Sequence, residues 1–591
     1  MVFSILGPVL SSLFLSAVLA VPSAESVSGP VTESGTGTRT GTGPDSILQP
    51  PWKTVDVLLG SGLQLTGRSS DGVESFNGVP YADPPVGPLR LKPPRPFSGQ
   101  LGRRDATQAA AVCPQMLLSS SAKSRIMKFA GKILDSPFLE EFRGQEDCLT
   151  LNVQRPVGAK AGDKLPVLFW IWGGAFAFGG SVMYDATSLL TMAMEQRQDF
   201  VFVAINHRLG GFGFLPGKEV LADGSANLGL LDQRLALEWV ADNIEAFGGD
   251  PDKVTIWGLS SGAISVFDQM ILYGGNATYK GKSLFRGAII NSGGAAPADR
   301  VDGVKGQAIY DAVAHSAGCF NATDSLECLR RLEYPLLLNA MNSVPAFFSY
   351  SSIALSYLPR PDGVVLPDSP ERLVQAGRLH AVPIIIGNQE DEGTTVALFQ
   401  WNLTTADHLA GYLSNVLFPS FPVAKLKQYV HLYDPALLQG SPHRTGLLNE
   451  LYPGYKRVAA VLGDLTFTLS RRILLLALER VKPQMPVWSY IASYNHALPI
   501  LGTFHASDVF QIFFGLPSNY AARSCRTYYL NFLHNLDPNK GVVRYGFWPR
   551  WNSVRRDLMW FRWPWANDAM RDDFRSGAEA WLEENANSLH M

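Results

Sequence analysis

A serine flanked by glycines stands where an apolar, β-branched run gives way to a helical pattern. The segment is Lys253-Val-Thr-Ile-Trp-Gly-Leu-Ser-Ser-Gly262. Its Gly258-x-Ser260-x-Gly262 spacing suits a tight strand–turn–helix that pushes the serine hydroxyl out at the carboxyl end of the strand. A side chain at either glycine would crowd the neighbouring strand and helix. The following helix, predicted through about Leu272, offers free N–H groups and a positive dipole end to a developing anion. Such a serine can attack a carbonyl and form an acyl intermediate, provided a base takes its proton. A second glycine-rich turn, Gly173-Gly174-Ala175, follows the strand-like run 166–171. Its backbone amides, with that of the residue after the serine, are expected to hold the oxyanion, which makes Gly174, Ala175 and Ser261 the donors. The base and its orienting acid are less legible. The chain has 10 histidines, and residue chemistry does not choose among Glu390, Asp391 and Glu392.

These groups need a scaffold. Runs at 166–171, 200–206, 254–257, 285–290, 382–386 and 487–491 are apolar enough to be parallel strands buried on both faces. Helical patterns alternate with them. The clearest covers 228–246, with Leu228, Leu231, Leu235 and Trp239 at three- and four-residue spacing and a stop at Gly248-Gly249. Alternating strands and helices predict an α/β fold with a large, mostly parallel central sheet flanked by helices and loop insertions.

The chain has 591 residues, 46% of them hydrophobic and 17% charged, enough apolar material for a large core. Lys plus Arg number 50 and Asp plus Glu 52, so there is no basic excess to suggest a nucleic-acid partner. Residues 1–20 carry no charged side chain, and the run from Leu6 to Leu19 reads as a secretory signal with cleavage at Ala20 or Ala24. A membrane anchor is the competing reading, weakened by the short run and by Gly7 and Pro8. Residues 21–49 are mostly Ser, Thr and Gly and read as a flexible leader. Residues 50–591 then form one domain. Three sequons, at Asn276, Asn321 and Asn402, agree with secretion. Of the five cysteines, Cys113–Cys148 and Cys319–Cys328 are candidate disulfides, leaving Cys525 as a buried or an exposed thiol.

With these pieces the chain resembles the type-B carboxylesterase/lipase family, secreted fungal lipases and cholinesterases included. The matching segments include Phe76-Asn-Gly-Val-Pro-Tyr-Ala-Asp-Pro-Pro-Val-Gly-Pro-Leu-Arg90, Glu146-Asp-Cys-Leu-Thr-Leu-Asn152, Asn206-His-Arg208, Asn227-Leu-Gly-Leu-Leu-Asp-Gln233 and Phe247-Gly-Gly-Asp-Pro251. The resemblance implies an α/β-hydrolase fold and a cofactor-free, metal-free carboxylic ester hydrolase acting on apolar esters, lipids among them. It implies Glu392 as the acid, from Gly387-Asn-Gln-Glu-Asp-Glu-Gly393, and His505 as the base, from Gly502-Thr-Phe-His505. The order Ser260, Glu392, His505 is the one this fold uses. It also implies that Arg90 pairs with Glu146 and Arg208 with Asp232 in structural roles, and that Asn291-Ser292 forms a turn behind the triad.

The chain departs from the family in Leu259, where Glu is frequent, and in Ala175, where a third Gly is common. The 113–148 loop lacks the Trp with which cholinesterases bind a quaternary ammonium. Within it, Ile126, Phe129, Ile133 and Leu134 fall near helical spacing with Lys128 and Lys132 between them. They read either as an amphipathic lid that touches a lipid surface or as a buried loop helix. Two alternatives to a hydrolase share the fold: an acyltransferase or specialised esterase, and a non-catalytic adhesion protein.

Overall fold

The computed structural model describes residues 52–99, 102–119, 144–433 and 439–591. The expected signal, the leader and the amphipathic stretch at Ile126–Leu134 lie outside the described residues.

Thirteen strands form one sheet. In chain order they are β1 (Lys53–Leu58), β2 (Gln64–Ser70), β3 (Val73–Pro80), β4 (Arg103–Asp105), β5 (Thr150–Pro156), β6 (Leu165–Ile171), β7 (Val201–Ile205), β8 (Gly249–Leu259), β9 (Gly287–Asn291), β10 (Ile384–Gln389), β11 (Val487–Ala492), β12 (Asp557–Trp563) and β13 (Ala566–Arg571). Their spatial order is β1-β2-β3-β5-β7-β6-β8-β9-β10-β11-β12-β13, with β4 beside β2. From β7 across to β12 every pairing is parallel. The flanks are antiparallel apart from β4.

The six apolar runs all become strands of this parallel centre, because a strand covered on both faces must be apolar at every position. β7 and β9 are buried along their whole length. Alternate side chains feed two cores. Val167, Phe169 and Ile171 of β6 join the cluster on one face, and Leu168 and Trp170 the cluster on the other. β8 is longer than its apolar run, starting at Gly249 and ending at Leu259, because its polar amino end still pairs with β6 at Leu165. The antiparallel flanks escape a search for apolar runs. β1 is largely exposed, and β13 has no fully buried residue.

Helix α1 (Leu228–Asn243) continues as a single 3-10 turn, Ile244–Phe247, and stops at Gly248 with φ 88°. The expected inward stripe is corrected. Leu228 and Trp239 are buried, but Leu231 and Leu235 are only partly so, while Leu230, Ala236, Leu237 and Val240 take the core positions. The helix packs on two sides, and a single stripe understates its contact. Helix α2 (Ser261–Ile271) is buried almost throughout. None of the helices among the described residues is long and apolar enough to cross a membrane.

Both expected disulfides are formed, Cys113–Cys148 and Cys319–Cys328. The first closes a 35-residue separation, worth about 4 kcal/mol in loop-closure entropy. Cys525 is a buried free thiol whose ionisation burial pushes far upward. Asn276, Asn321 and Asn402 are all exposed.

Asp268 on α2 is fully buried, and neither carboxylate oxygen has a hydrogen-bond partner among the described residues. Burial holds its carboxyl well above the ordinary range. The folded chain therefore keeps a proton that the unfolded chain releases above about pH 4. Stability from this group is greatest below that pH and falls by about 1.4 kcal/mol per pH unit until the folded carboxyl itself ionises. Asp268→Asn removes the slope. Its thermal midpoint is expected to drop less than the parent's between about pH 4.5 and pH 8 in calorimetric melts. Identical drops would show that Asp268 is ionised in the fold.

Candidate active site

The carboxyl end of β8 and the amino end of α2 meet at Ser260, whose φ of 57° and ψ of −125° lie where few non-glycine residues are found. The surroundings enforce that strain. A Cβ on Gly258 would lie 2.3 Å from the Gly262 carbonyl, and one on Gly262 would lie 2.0 Å from that of Ile171. Ser260 N–H donates to Asn291 O at 2.9 Å, tying the turn to the end of β9.

His505 Nε2 lies 2.8 Å from Ser260 Oγ, and its Nδ1 lies 2.6 Å from Glu392 Oε2. The Glu392 side chain is wholly buried, and its other oxygen accepts the Gln389 N–H at 2.7 Å. The structure thus separates three acids that chemistry alone leaves level. Glu390 turns outward to the Arg444 guanidinium at 2.9 Å. Asp391 accepts from Ser441 Oγ at 3.0 Å, His443 N–H at 2.8 Å and Thr503 N–H at 2.9 Å. Burial first, and then the neighbouring Glu390 charge, push the Asp391 carboxyl up to about 7. Only Glu392 reaches His505.

The glycine turn after β6 lies against the serine. A Cβ on Gly173 would sit 2.8 Å from Ser260 Cβ. Gly174 has φ 141°, Ala175 φ 56° and Phe176 φ 56°. The Gly174 carbonyl accepts from the Ala177 and Phe178 amides at 2.9 and 3.1 Å, which fixes the turn. The Gly174 and Ala175 amides donate to no group among the described residues. The Ser261 amide belongs to the first turn of α2, where no helical acceptor exists. The turn that carries Gly174 and Ala175 thus begins against the serine at Gly173, and Ser261 follows the serine in the chain.

Phe467 was not legible beforehand, whereas a turn at Asn291 behind the site was implied by the resemblance. Phe467 stacks on the His505 ring, with centroids 4.5 Å apart and planes tilted by 35°. It sits in a widened helical turn, Asp464–Thr468, and nothing in its local sequence marks it. Asp508 is buried and donated to by Asn291 Nδ2 at 2.7 Å, while Trp257 Nε1 and Tyr529 OH donate to Asn291 Oδ1 at 3.1 Å. The Asn291 turn thus lies behind the serine and also braces the segment after His505. Burial pushes the Asp508 carboxyl up to about 6.

The two structural ion pairs form as the resemblance implies. Arg90 Nη2–Glu146 Oε2 and Arg208 Nη2–Asp232 Oδ1 both measure 2.6 Å. His207 is stacked on Trp172 and fully buried, and burial lowers its pKa to about 3, so it is neutral and away from the triad. Among the described residues, no group of three His, Cys, Asp or Glu side chains is placed to hold a metal.

A serine at the carboxyl end of a parallel strand, bonded to a carboxylate-oriented imidazole, defines the serine hydrolases of the α/β-hydrolase fold. The carboxylesterase family profile matches residues 55–562. "Secreted triacylglycerol lipase LIP1" of Gibberella zeae is 57% identical over 536 residues, covering 90% of this chain and 91% of that protein. "Secreted lipase 1" of Botryotinia fuckeliana is 53% identical over 530 residues, covering 89% and 92%. The crystal structure of Aspergillus niger EstA superposes with a TM-score of 0.75 at 26% identity, covering 91% and 99%. The chain belongs to the carboxylesterase family. It is a secreted serine carboxylic ester hydrolase.

Proposed function

We propose that Ser260, His505 and Glu392 are the catalytic triad, that the Gly174, Ala175 and Ser261 amides form the oxyanion hole, and that the substrates are apolar carboxylic esters, triacylglycerols among them. The observation that carries this reading is the unbroken relay of 2.8 and 2.6 Å from Ser260 Oγ through His505 to Glu392. His505 Nε2 takes the hydroxyl proton as Oγ adds to the ester carbonyl. The three amides hold the oxyanion, and losing one such donor typically costs about 3–4 kcal/mol of transition-state stabilisation. Glu392 fixes the imidazole tautomer and stabilises the imidazolium. The proton passes to the departing alcohol, the acyl group stays on Oγ, and water attacks by the same route to release the acid. Residues 1–20 as a signal, residues 50–591 as one domain, glycans on the exposed sequons and transient lipid contact through the 113–148 loop belong to the same reading.

Apolar substrates are favoured by the named activity of the 57% identical relative and by the Phe467 ring, centred 4.5 Å from that of His505. The test is fatty-acid release from emulsified triolein, titrated at constant pH beside p-nitrophenyl butyrate hydrolysis. Turnover of both is expected. Turnover of the soluble ester with no acid released from triolein would restrict the enzyme to small esters.

A further inference from the structure

The catalytic end of the sheet carries a cluster of exposed apolar side chains that neither the triad nor the fold accounts for. Leu447 and Leu448 are each 71% exposed, Trp565 68%, Leu516 60% and Leu498 41%. Exposed apolar residues scattered singly need no explanation, but clusters of them mark contact surfaces.

Their common location follows from strand register. Gln389 pairs with Ala492, and Ala492 with Phe561. The tip of the β12–β13 hairpin, where Trp565 sits, is therefore level with the loop that carries Glu392. At the usual strand spacing Gln389 and Phe561, from which the loop and the tip extend, are about 10 Å apart. Hydrogen bonds and ring contacts join the remaining pieces. Asn449 Oδ1 accepts the Ile500 N–H at 3.0 Å, linking the Leu447–Leu448 loop to the Leu498 loop that leads to His505. In the same loop as Leu447, Arg444 lies over the Trp560 ring at 5.4 Å. Arg562 covers Trp560 at 4.3 Å and Trp563 at 5.1 Å. Trp563 and Trp565 stack with planes 1° apart. The Tyr520 N–H donates to Pro564 O at 2.8 Å, which brings in the Leu516 segment. The cluster is thus one continuous rim on the histidine and acid side of the site.

The two arginines that lie over its indole rings are paired within it. Arg444 pairs with Glu390 and Arg562 with Asp568. A surface of hydrocarbon and guanidinium-backed indole with its charges paired is suited to an uncharged, apolar phase, and indole rings sit well at the boundary between such a phase and water. We propose that this rim, formed by Leu447, Leu448, Leu498, Leu516 and Trp565, is a preformed docking surface for a neutral ester–water interface, and that it presents the mouth of the site to that interface. The proposal rests on the reading that water-insoluble esters are substrates. It names the fixed part of the protein that meets them.

The test separates docking from catalysis. In a Ser260→Ala background, which leaves the emulsion intact, adsorption to triolein droplets stabilised with phosphatidylcholine is compared for the parent surface and for Leu447→Ser/Leu448→Ser/Leu516→Ser/Trp565→Ser. Removing half of each side chain's contact area is worth about fivefold in partitioning per residue. The quadruple variant is expected to adsorb several hundredfold more weakly, with little dependence on salt between about 0.05 and 0.5 M, since both arginines over the indole rings are paired. With Ser260 present, the same four changes should leave p-nitrophenyl butyrate hydrolysis within about twofold, because among the described residues none of the four is bonded to Ser260, His505 or Glu392. If that rate is lost through misfolding, the Leu447→Ser/Leu448→Ser pair replaces the quadruple variant, with an expected weakening of about twenty-fivefold. Unchanged adsorption by a folded variant overturns the proposal, and so does adsorption that collapses with salt. A parent that adsorbs but releases no acid from triolein would instead overturn the substrate reading.

Discussion

Ser260→Ala is expected to lower kcat for p-nitrophenyl butyrate by on the order of 10⁵-fold or more while leaving KM within a few-fold, as loss of a triad serine generally does. Among the described residues, the Ser260 hydroxyl is the one nucleophilic oxygen within bonding distance of the His505 imidazole. Removing it leaves the oxyanion donors and the binding surface, which together keep on the order of 10³-fold catalysis over water. The fold should tolerate the change. Among the described residues Ser260 Oγ bonds only His505, and the backbone bond from Ser260 N–H to Asn291 O does not need the side chain. The strained turn is imposed by Gly258, Gly262 and their neighbours. Initial rates of the purified parent and variant, with a thermal melt of each, check this. Equal rates would place the nucleophile elsewhere.

Glu392→Gln is expected to lower kcat by on the order of 10³- to 10⁴-fold, again with a small change in KM. The reason lies in the second oxygen. Oε1 accepts the Gln389 N–H at 2.7 Å, so a glutamine at this position must turn its carbonyl toward Gln389. That leaves its NH₂ group facing His505 Nδ1, 2.6 Å from where Oε2 now sits. An amide donor there favours the tautomer with the proton on Nε2, which cannot accept the serine proton. Glu390→Gln breaks only the outward pair with Arg444 and should leave kcat within about threefold, as an ion pair near the surface contributes little. A kcat series over the two variants decides the assignment. A large loss at position 390 with none at 392 would assign the acid to the wrong carboxylate.

The difference between these two residues shows what kind of information the sequence carries. The elbow is local: glycine, serine and glycine within five residues, between a β-branched run and a helix, specify a turn whose geometry depends on nothing distant. The central strands are legible for a similar reason, since full burial leaves only apolar residues in them. The flanking strands β1, β12 and β13 are not, because one exposed face makes their composition mixed. Lys53-Thr-Val-Asp-Val-Leu58 alternates too weakly to stand out from a loop. The triad's acid is a matter of which way three adjacent side chains turn, and that is set by partners far along the chain: Arg444 draws Glu390 outward, Ser441, His443 and Thr503 occupy Asp391, and His505 is left to Glu392.

By itself, the sequence determined the reaction class, the two disulfide pairs and the parallel centre of the sheet, and it marked Ser260 as the proposed nucleophile. Each of these is written in short-range spacing, in the cysteines nearest each other, or in uninterrupted apolar runs. Family motifs pointed to Glu392 and to a turn at Asn291, but only the tertiary structure showed the contacts that aim Glu392 at the imidazole, set Phe467 against its ring and join Asn291 to Asp508. Those relations join residues tens to hundreds of positions apart. Packing and strand register bring them together, and neither is encoded in any local pattern.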